Sequence, residues 1–163
     1  MKTEPAPPHD QVKIPKVLEP IREHPFLHGL SQEHLEIIAD CAMATKFAAG
    51  EQIFREGDPA NRFYLIKSGR IILERTGNEG VVKTIQIIGP QDVLGWSWLY
   101  PPFYWHFDAR ALEETEAVFL YGTRIREFCE QNHDLGYEVM KRIAHVLINR
   151  LLAARRDLAS EEI

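Results

Sequence analysis

Hydrophobic positions along the chain change their spacing twice. From Val17 to Phe47 they recur every three or four residues, as at Leu35, Ile38 and Ala42, which is the helical period. Ser31, three residues ahead of His34, reads as the N-cap of that helix. Pro25 marks a turn before it, and Phe26, Leu27 and Leu30 are placed to staple the helix onto the layer below. From Lys46 to Tyr121 the pattern becomes short apolar runs broken by turn residues. Turns at Gly50, Gly57-Asp58-Pro59, Ser68-Gly69, the loop RTGNEG and the stretch GPQD separate strands at Phe63–Ile66, Arg70–Glu74 and the segment VVKTIQII. DARALEETEAVFL adds two more strands around Glu113 and Glu114. About eight short strands at this spacing predict a sandwich or jelly-roll barrel. From Arg124 onward the helical period returns. Tyr137, Met140, Ala144, Leu147, Leu151, Ala154 and Leu158 form an a/d seam, and Val139, Ile143, Val146 and Ile148 widen it. A helix apolar on more than one side needs two partners, here its own barrel and a twin helix in a homodimer.

The fold class is therefore mainly β with flanking helices (α+β): N-terminal helices, a jelly-roll barrel and a long C-terminal helix. Residues 1–16 are a Pro-rich, polar arm without an apolar signal core. Residues 17–123 are the helical lead-in plus barrel, and 124–163 the C-terminal helical region. The 163 residues are 45% hydrophobic and carry a net charge of −5, so there is a core to build and no basic surplus for nucleic acid. No apolar run is long enough to span a membrane. Cys41 and Cys129 match no metal spacing and read as reduced thiols of a cytoplasmic protein.

One segment fits none of these patterns. LGWSWLYPPFYWHFDARA, Leu94 to Ala111, holds all three tryptophans of the chain, together with Tyr100, Phe103, Tyr104 and Phe107. It is too aromatic for an ordinary surface loop, and Pro101 and Pro102 break any helix or strand. Alternation toward its end turns Phe107, Ala109 and Ala111 inward and leaves His106, Asp108 and Arg110 facing out, with Arg110 placed to pair with Asp108.

The order helices–barrel–long helix, with Gly50-Glu51-Gln52-Ile53-Phe54-Arg55-Glu56-Gly57-Asp58 and then Gly69 at the barrel's corners, resembles the cyclic-nucleotide-binding domain. That module is shared by catabolite-activator-type transcription factors, kinase regulatory subunits and gated channels. The resemblance covers Phe26 to Leu158. It implies a ligand cassette of the form Gly-Glu-x-Ala-Leu followed by Arg-Ala. There, N–H groups at a short helix meet the cyclic phosphate, the Arg pairs with it bidentately, and the Glu accepts from the ribose hydroxyl. Carried onto this chain, Gly95 stands at the Gly and Trp96 replaces the Glu. Ser97, Trp98 and Leu99 continue the one-turn helix until Pro101, and the Arg position falls on Trp105, with His106 beside it. No Arg or Lys occurs between Leu94 and Asp108. A charge-assisted hydrogen bond contributes roughly 1.5–3 kcal/mol and an orphaned buried charge costs about 3–5 kcal/mol. Affinity for cAMP or cGMP should thus fall by about ten- to several-thousand-fold. By the same resemblance Leu73, Ile85 and Ile88 would wall the pocket.

Three roles stay open for the aromatics: filling the barrel, stacking on a flat ligand, or meeting a protein partner. His106 is either a hydrogen-bonded edge histidine or a donor to an anion. Catalysis finds no support. The His24/His28 pair is interrupted by Pro25 and reads as surface, only His106 falls on the barrel, and no nucleophile elbow or phosphate loop appears. Arg150, Arg155 and Arg156, offset by Asp157, Glu161 and Glu162, read as a solvated helix face. In the resembling activators a DNA-reading helix-turn-helix follows the long helix. Here that helix runs to Ile163, so no direct nucleic-acid contact is expected. Two functions follow as expectations: a non-catalytic sensor binding cAMP, cGMP or another flat small molecule weakly, or a ligand-free module docking a regulatory protein partner through its aromatic cassette.

Overall fold

The structure is a computed structural model that describes Ile21–Glu161. The Pro-rich arm and its border at Val17 lie outside the described residues. A 3-10 turn at Pro25–Leu27 precedes α1 (Gln32–Asp40), and the Ser31 hydroxyl accepts from the His34 amide at 3.2 Å, as an N-cap does. The helical zone expected to reach Phe47 ends earlier, because Ala42–Phe47 forms β1 and pairs over its whole length with β8 (Thr115–Tyr121). Long-range pairing overrides the local period here.

Among the described residues eight strands make two antiparallel four-stranded sheets. The first runs β1, β8, β3 (Arg62–Ser68), β6 (Val93–Leu94). The second runs β2 (Gln52–Phe54), β7 (Asp108–Ala111), β4 (Ile71–Thr76), β5 (Val82–Ile88). This is the jelly roll expected from the turn spacing. At the β3–β4 corner Gly69 has φ +87°, and a Cβ there would stand 2.3 Å from the Thr115 hydroxyl, so the corner admits only glycine.

The first sheet is covered on both faces. Phe63, Leu65, Val118 and Leu120 face the helices, joining Phe26, Leu27, Leu35, Ile38 and Ile125 in one core. Tyr64, Ile66, Ala117 and Phe119 alternate with them and face the barrel interior, a second core shared with Phe47, Phe54, Ile71, Leu73 and Ile88. Ile85 does not join it. It stands three residues from Ile88, so a two-residue period puts the two on opposite faces, and a register shift falls there, with Leu73 opposite Gln86 and Glu74 opposite Thr84. Ile85 is 48% exposed, which corrects its expected place in the pocket wall.

After β8 come α2 (Gly122–Gln131) and the long α3 (His133–Glu161). Leu135, Val139 and Ile143 bury against the domain, whereas Tyr137, Leu147, Leu151 and Leu158 are exposed, with Met140 half-buried. Two basic positions depart from a solvated face. Arg142 donates to the His28 carbonyl at 2.7 Å, and Arg150 reaches back to the Val93 carbonyl on β6. His24 is also no surface histidine: at 5% exposure it accepts from the Phe26 amide through Nδ1 and donates to the Asp92 carbonyl through Nε2, both at 3.2 Å. No helix among the described residues is long and apolar enough to cross a membrane.

Candidate functional site

The cassette runs from Gly95 at the end of β6 to Arg110 on β7. Gly95 has φ +92°, and a Cβ there would lie 2.7 Å from the Trp105 ring. That absence of a side chain lets the indole lie flat across the backbone. Trp105 is 4% exposed and stacks on Phe54 with ring centroids 3.8 Å apart and planes 8° from parallel. Both belong to the barrel core with Leu73, Ile88 and Leu94. The position where the resemblance puts a phosphate-pairing Arg thus holds a ring buried in the barrel interior.

Trp98 goes the other way. It is 1% exposed in the helical core, against Phe63 and the Gly122 backbone, and its Nε1 donates to the Gly95 carbonyl at 3.2 Å. The one-turn helix expected at Ser97–Leu99 is a turn instead, closed by the Leu99 amide on the Trp96 carbonyl at 3.1 Å. Arg126 on α2 holds this turn from outside. Its guanidinium donates to the Trp98 carbonyl at 2.7 Å and lies over the Phe103 ring at 4.0 Å.

The second half of the cassette is pinned to the Gly57–Ala60 turn. The Gly57 amide donates to the Trp105 carbonyl (2.9 Å), the Trp105 amide to Asp58 (2.9 Å) and the Ala60 amide to Phe103 (2.7 Å). On the outer surface, Trp96 stacks on His106 with centroids 5.1 Å apart, and the buried Ser97 hydroxyl lies 3.0 Å from His106 Nδ1. His106 is thus hydrogen-bonded within the protein through Nδ1. Tyr100 and Tyr104 are 59% and 48% exposed around Pro101 and Pro102.

Gly95 meets Trp105, and Trp96 and Ser97 meet His106, whereas Trp98 and Leu99 turn into the helical core; Phe107, Ala109 and Ala111 face inward. Arg110 does face out, but its partner is Glu74 on the neighbouring strand, through two hydrogen bonds at 2.8 and 3.3 Å, and not Asp108. The Asp108 carboxylate accepts instead from the Glu56 amide at 2.7 Å. The register puts Ile72 opposite Arg110 and Glu74 opposite Asp108, so Glu74 reaches Arg110 as its diagonal neighbour while Asp108 is spent on the Glu56 amide. Leu73 and Ile88 are buried in the barrel core, at 2% exposure each. Sequence reading missed Phe54, Gly122 and Arg126. Phe54 carried a signal, an apolar residue just before Arg55-Glu56-Gly57. Arg126 carried none, since it meets Trp98 across 28 residues of chain. Burial pushes the Tyr64 phenol in this core above its ordinary pKa, opposed by Arg62. Arg62 lies over the Phe119 ring at 4.3 Å.

Comparison with known proteins places these features in a family. The cyclic nucleotide-binding domain profile matches residues 44–132. The chain is 30% identical over 97 residues to the cyclic AMP receptor protein of Thermus thermophilus, covering 60% of this chain and 45% of that protein. It is 27% identical over 134 residues to the CRP-like cAMP-activated global transcriptional regulator of Mycobacterium tuberculosis, covering 82% and 58%. The solved structure of a candidate cyclic nucleotide-binding protein from Geobacter metallireducens superposes with a TM-score of 0.74 at 29% identity, over 82% of this chain and 96% of that one. The chain spans about half the length of the curated relatives it matches.

Proposed function

The chain belongs to the cyclic nucleotide-binding domain family, and within it we propose a non-catalytic, cytoplasmic regulatory module that has filled its own ligand chamber and acts through protein contacts. The observation that carries this reading is the Trp105–Phe54 stack at 3.8 Å in the barrel core, at the position that would supply the cation for a cyclic phosphate. A nucleotide entering there would have to expel a buried indole and would then find no Arg or Lys between Leu94 and Asp108, with Arg110 already paired to Glu74. The exposed Tyr100 and Tyr104 offer what a protein partner would use: large, stiff rings that bury area at low entropic cost.

Titration with cAMP and cGMP tests this, following tryptophan fluorescence and melting temperature. A ligand at 100 times its Kd adds about 2.7 kcal/mol of stability, so family-grade affinity would be plain. No shift is expected. Saturable micromolar binding that perturbs Trp105 fluorescence would overturn the reading in favour of a small-molecule sensor.

The module is further proposed to work as a homodimer. Leu147, Leu151 and Leu158, with Tyr137, Met140 and Ala144, share a face of α3 that lies roughly 120° round the helix, at about 100° per residue, from the buried Leu135–Val139–Ile143 face. A twin helix would cover it. Leu147→Glu with Leu151→Glu should give monomers in sedimentation experiments. An unchanged dimer would refute the seam.

A further inference from the structure

A groove of about 600 Å³ lies between the β5–β6 edge of the barrel and α3, outside the aromatic-filled interior. Its floor is apolar, from Phe26, Ile88, Val93 and Val146. Three permanent cations line it, Lys141, Arg142 and Arg150, against two carboxylates, Asp92 and Glu138. The carboxylates are already engaged. Glu138 is held by Lys141 at 2.7 Å and by Arg142, and Asp92 accepts from the Gly89 amide at 2.9 Å. Arg150 is different. It forms no ion pair among the described residues, and its one hydrogen bond goes to the Val93 carbonyl. Burial pulls its pKa below the ordinary value, with the charge of Asp92 opposing. A guanidinium carries five N–H donors, so most of its capacity is unspent on protein. Asp92 acts on this half-buried guanidinium without forming an ion pair with it, which leaves its donors open to an added anion.

The groove's rim carries a second, independent sign. Gln91 has φ +73°, a conformation that the turn Gly89-Pro90-Gln91-Asp92 would give a glycine without strain. The strained residue lines the groove, where a glycine would bring no carboxamide. Gln86 from β5 and Asn149 from α3 add two more carboxamides, and Asn149 is held 3.1 Å from His145 Nε2.

We infer that this groove is a binding site for a small organic oxyanion, a carboxylate or phosphate ester, engaged by the Arg150 guanidinium and oriented by the carboxamides of Gln86, Gln91 and Asn149. Such an occupant touches both β-barrel and α3, so it would tighten the docking of the long helix without entering the barrel. The site is separate from the cassette, and its ligand need not be a cyclic nucleotide.

The full chain is titrated by calorimetry and by melting with inorganic phosphate, citrate and AMP, each to about 10 mM at constant ionic strength. At least one should bind saturably and raise the melting temperature. Phosphate and AMP responding without citrate assigns a phosphate site, citrate alone a carboxylate site, and all three a general oxyanion site. Arg150→Met should weaken binding at least tenfold. Gln91→Gly, which relieves the strained turn, and Asn149→Ala, which suits a helix, should fold normally and each weaken binding about two- to tenfold, the scale of one hydrogen bond. The inference is overturned if no probe saturates, if Arg150→Met binds like wild type, or if both carboxamide variants do.

Discussion

Replacing Trp105 by alanine removes an indole that is 4% exposed, stacked on Phe54 at 3.8 Å and laid against Gly95. Truncations of this size in a packed core cost about 3–5 kcal/mol, combining lost transfer energy with the cavity left behind. Against a total stability of about 5–15 kcal/mol that is a large share, and it corresponds to a fall in melting temperature of roughly 6–20 °C. Urea unfolding of wild type and variant gives the difference directly. Two further results follow from the geometry. The vacated space is flat and apolar, so added indole should bind it and recover part of the lost stability. Gly95→Ala in wild type meets the ring, the Arg62 carbonyl at 3.3 Å and the cost of a positive φ, whereas in the Trp105→Ala background the ring is gone and a backbone cost of about 1–3 kcal/mol with the carbonyl contact remains. The double variant should therefore lose less than the sum of the singles. A loss below about 1 kcal/mol for Trp105→Ala, the range of surface substitutions, would mean that the ring is not in the core, and the self-filled chamber would fall with it.

Other measurements bear on the surrounding parts. Arg126→Gln gives up a charged hydrogen bond to the Trp98 carbonyl and the cation over Phe103, so it should cost about 1.5–3 kcal/mol and speed amide exchange in the cassette. Equal exchange would show that Arg126 does not hold the turn. His24 is neutral in the fold, with its pKa lowered chiefly by burial, so protons bind the unfolded chain better. Its stabilising contribution is complete above about pH 6.5 and is lost as pH falls from there toward the depressed folded value. His24→Gln should flatten the urea midpoint between those limits, and an unchanged slope would contradict the assignment. Burial pushes the Cys41 thiol up to about 12, so native protein at neutral pH should be alkylated at the half-buried Cys129 first and at Cys41 only on unfolding. Mass-mapped labelling reads this, and early Cys41 labelling would refute it.

The barrel was legible because its signals are local. Gly57 and Gly69 mark turns, alternation puts Phe107, Ala109 and Ala111 on one face, and Ser31 announces the first helix. The cassette was legible only as an anomaly: sequence could say that a cation was missing, but not that Trp105 and Trp98 point into different cores. That outcome depends on which neighbours offer bare backbone, and Gly122 meets Trp98 only after the whole of β7 and β8 has intervened. Ile85 failed for a different reason: it stands three residues from Ile88, so plain alternation already puts the two on opposite faces, and a family position carried onto it ignored that parity. Arg150 was read as solvated from its charged neighbours, because nothing in a helix sequence shows a barrel edge within reach of one guanidinium.

Trp98 and Trp105 sit seven residues apart, one lodged beneath the helices and one inside the barrel. A loop riveted through a sheet at two points cannot swing as a hinged flap does. To move, it must withdraw a large ring from one side or the other, and either withdrawal loosens both halves of the molecule together. On the proposed reading, a signal would pass as a change in what gathers on the outside, while the loop itself stays a fixed strut between its two interiors.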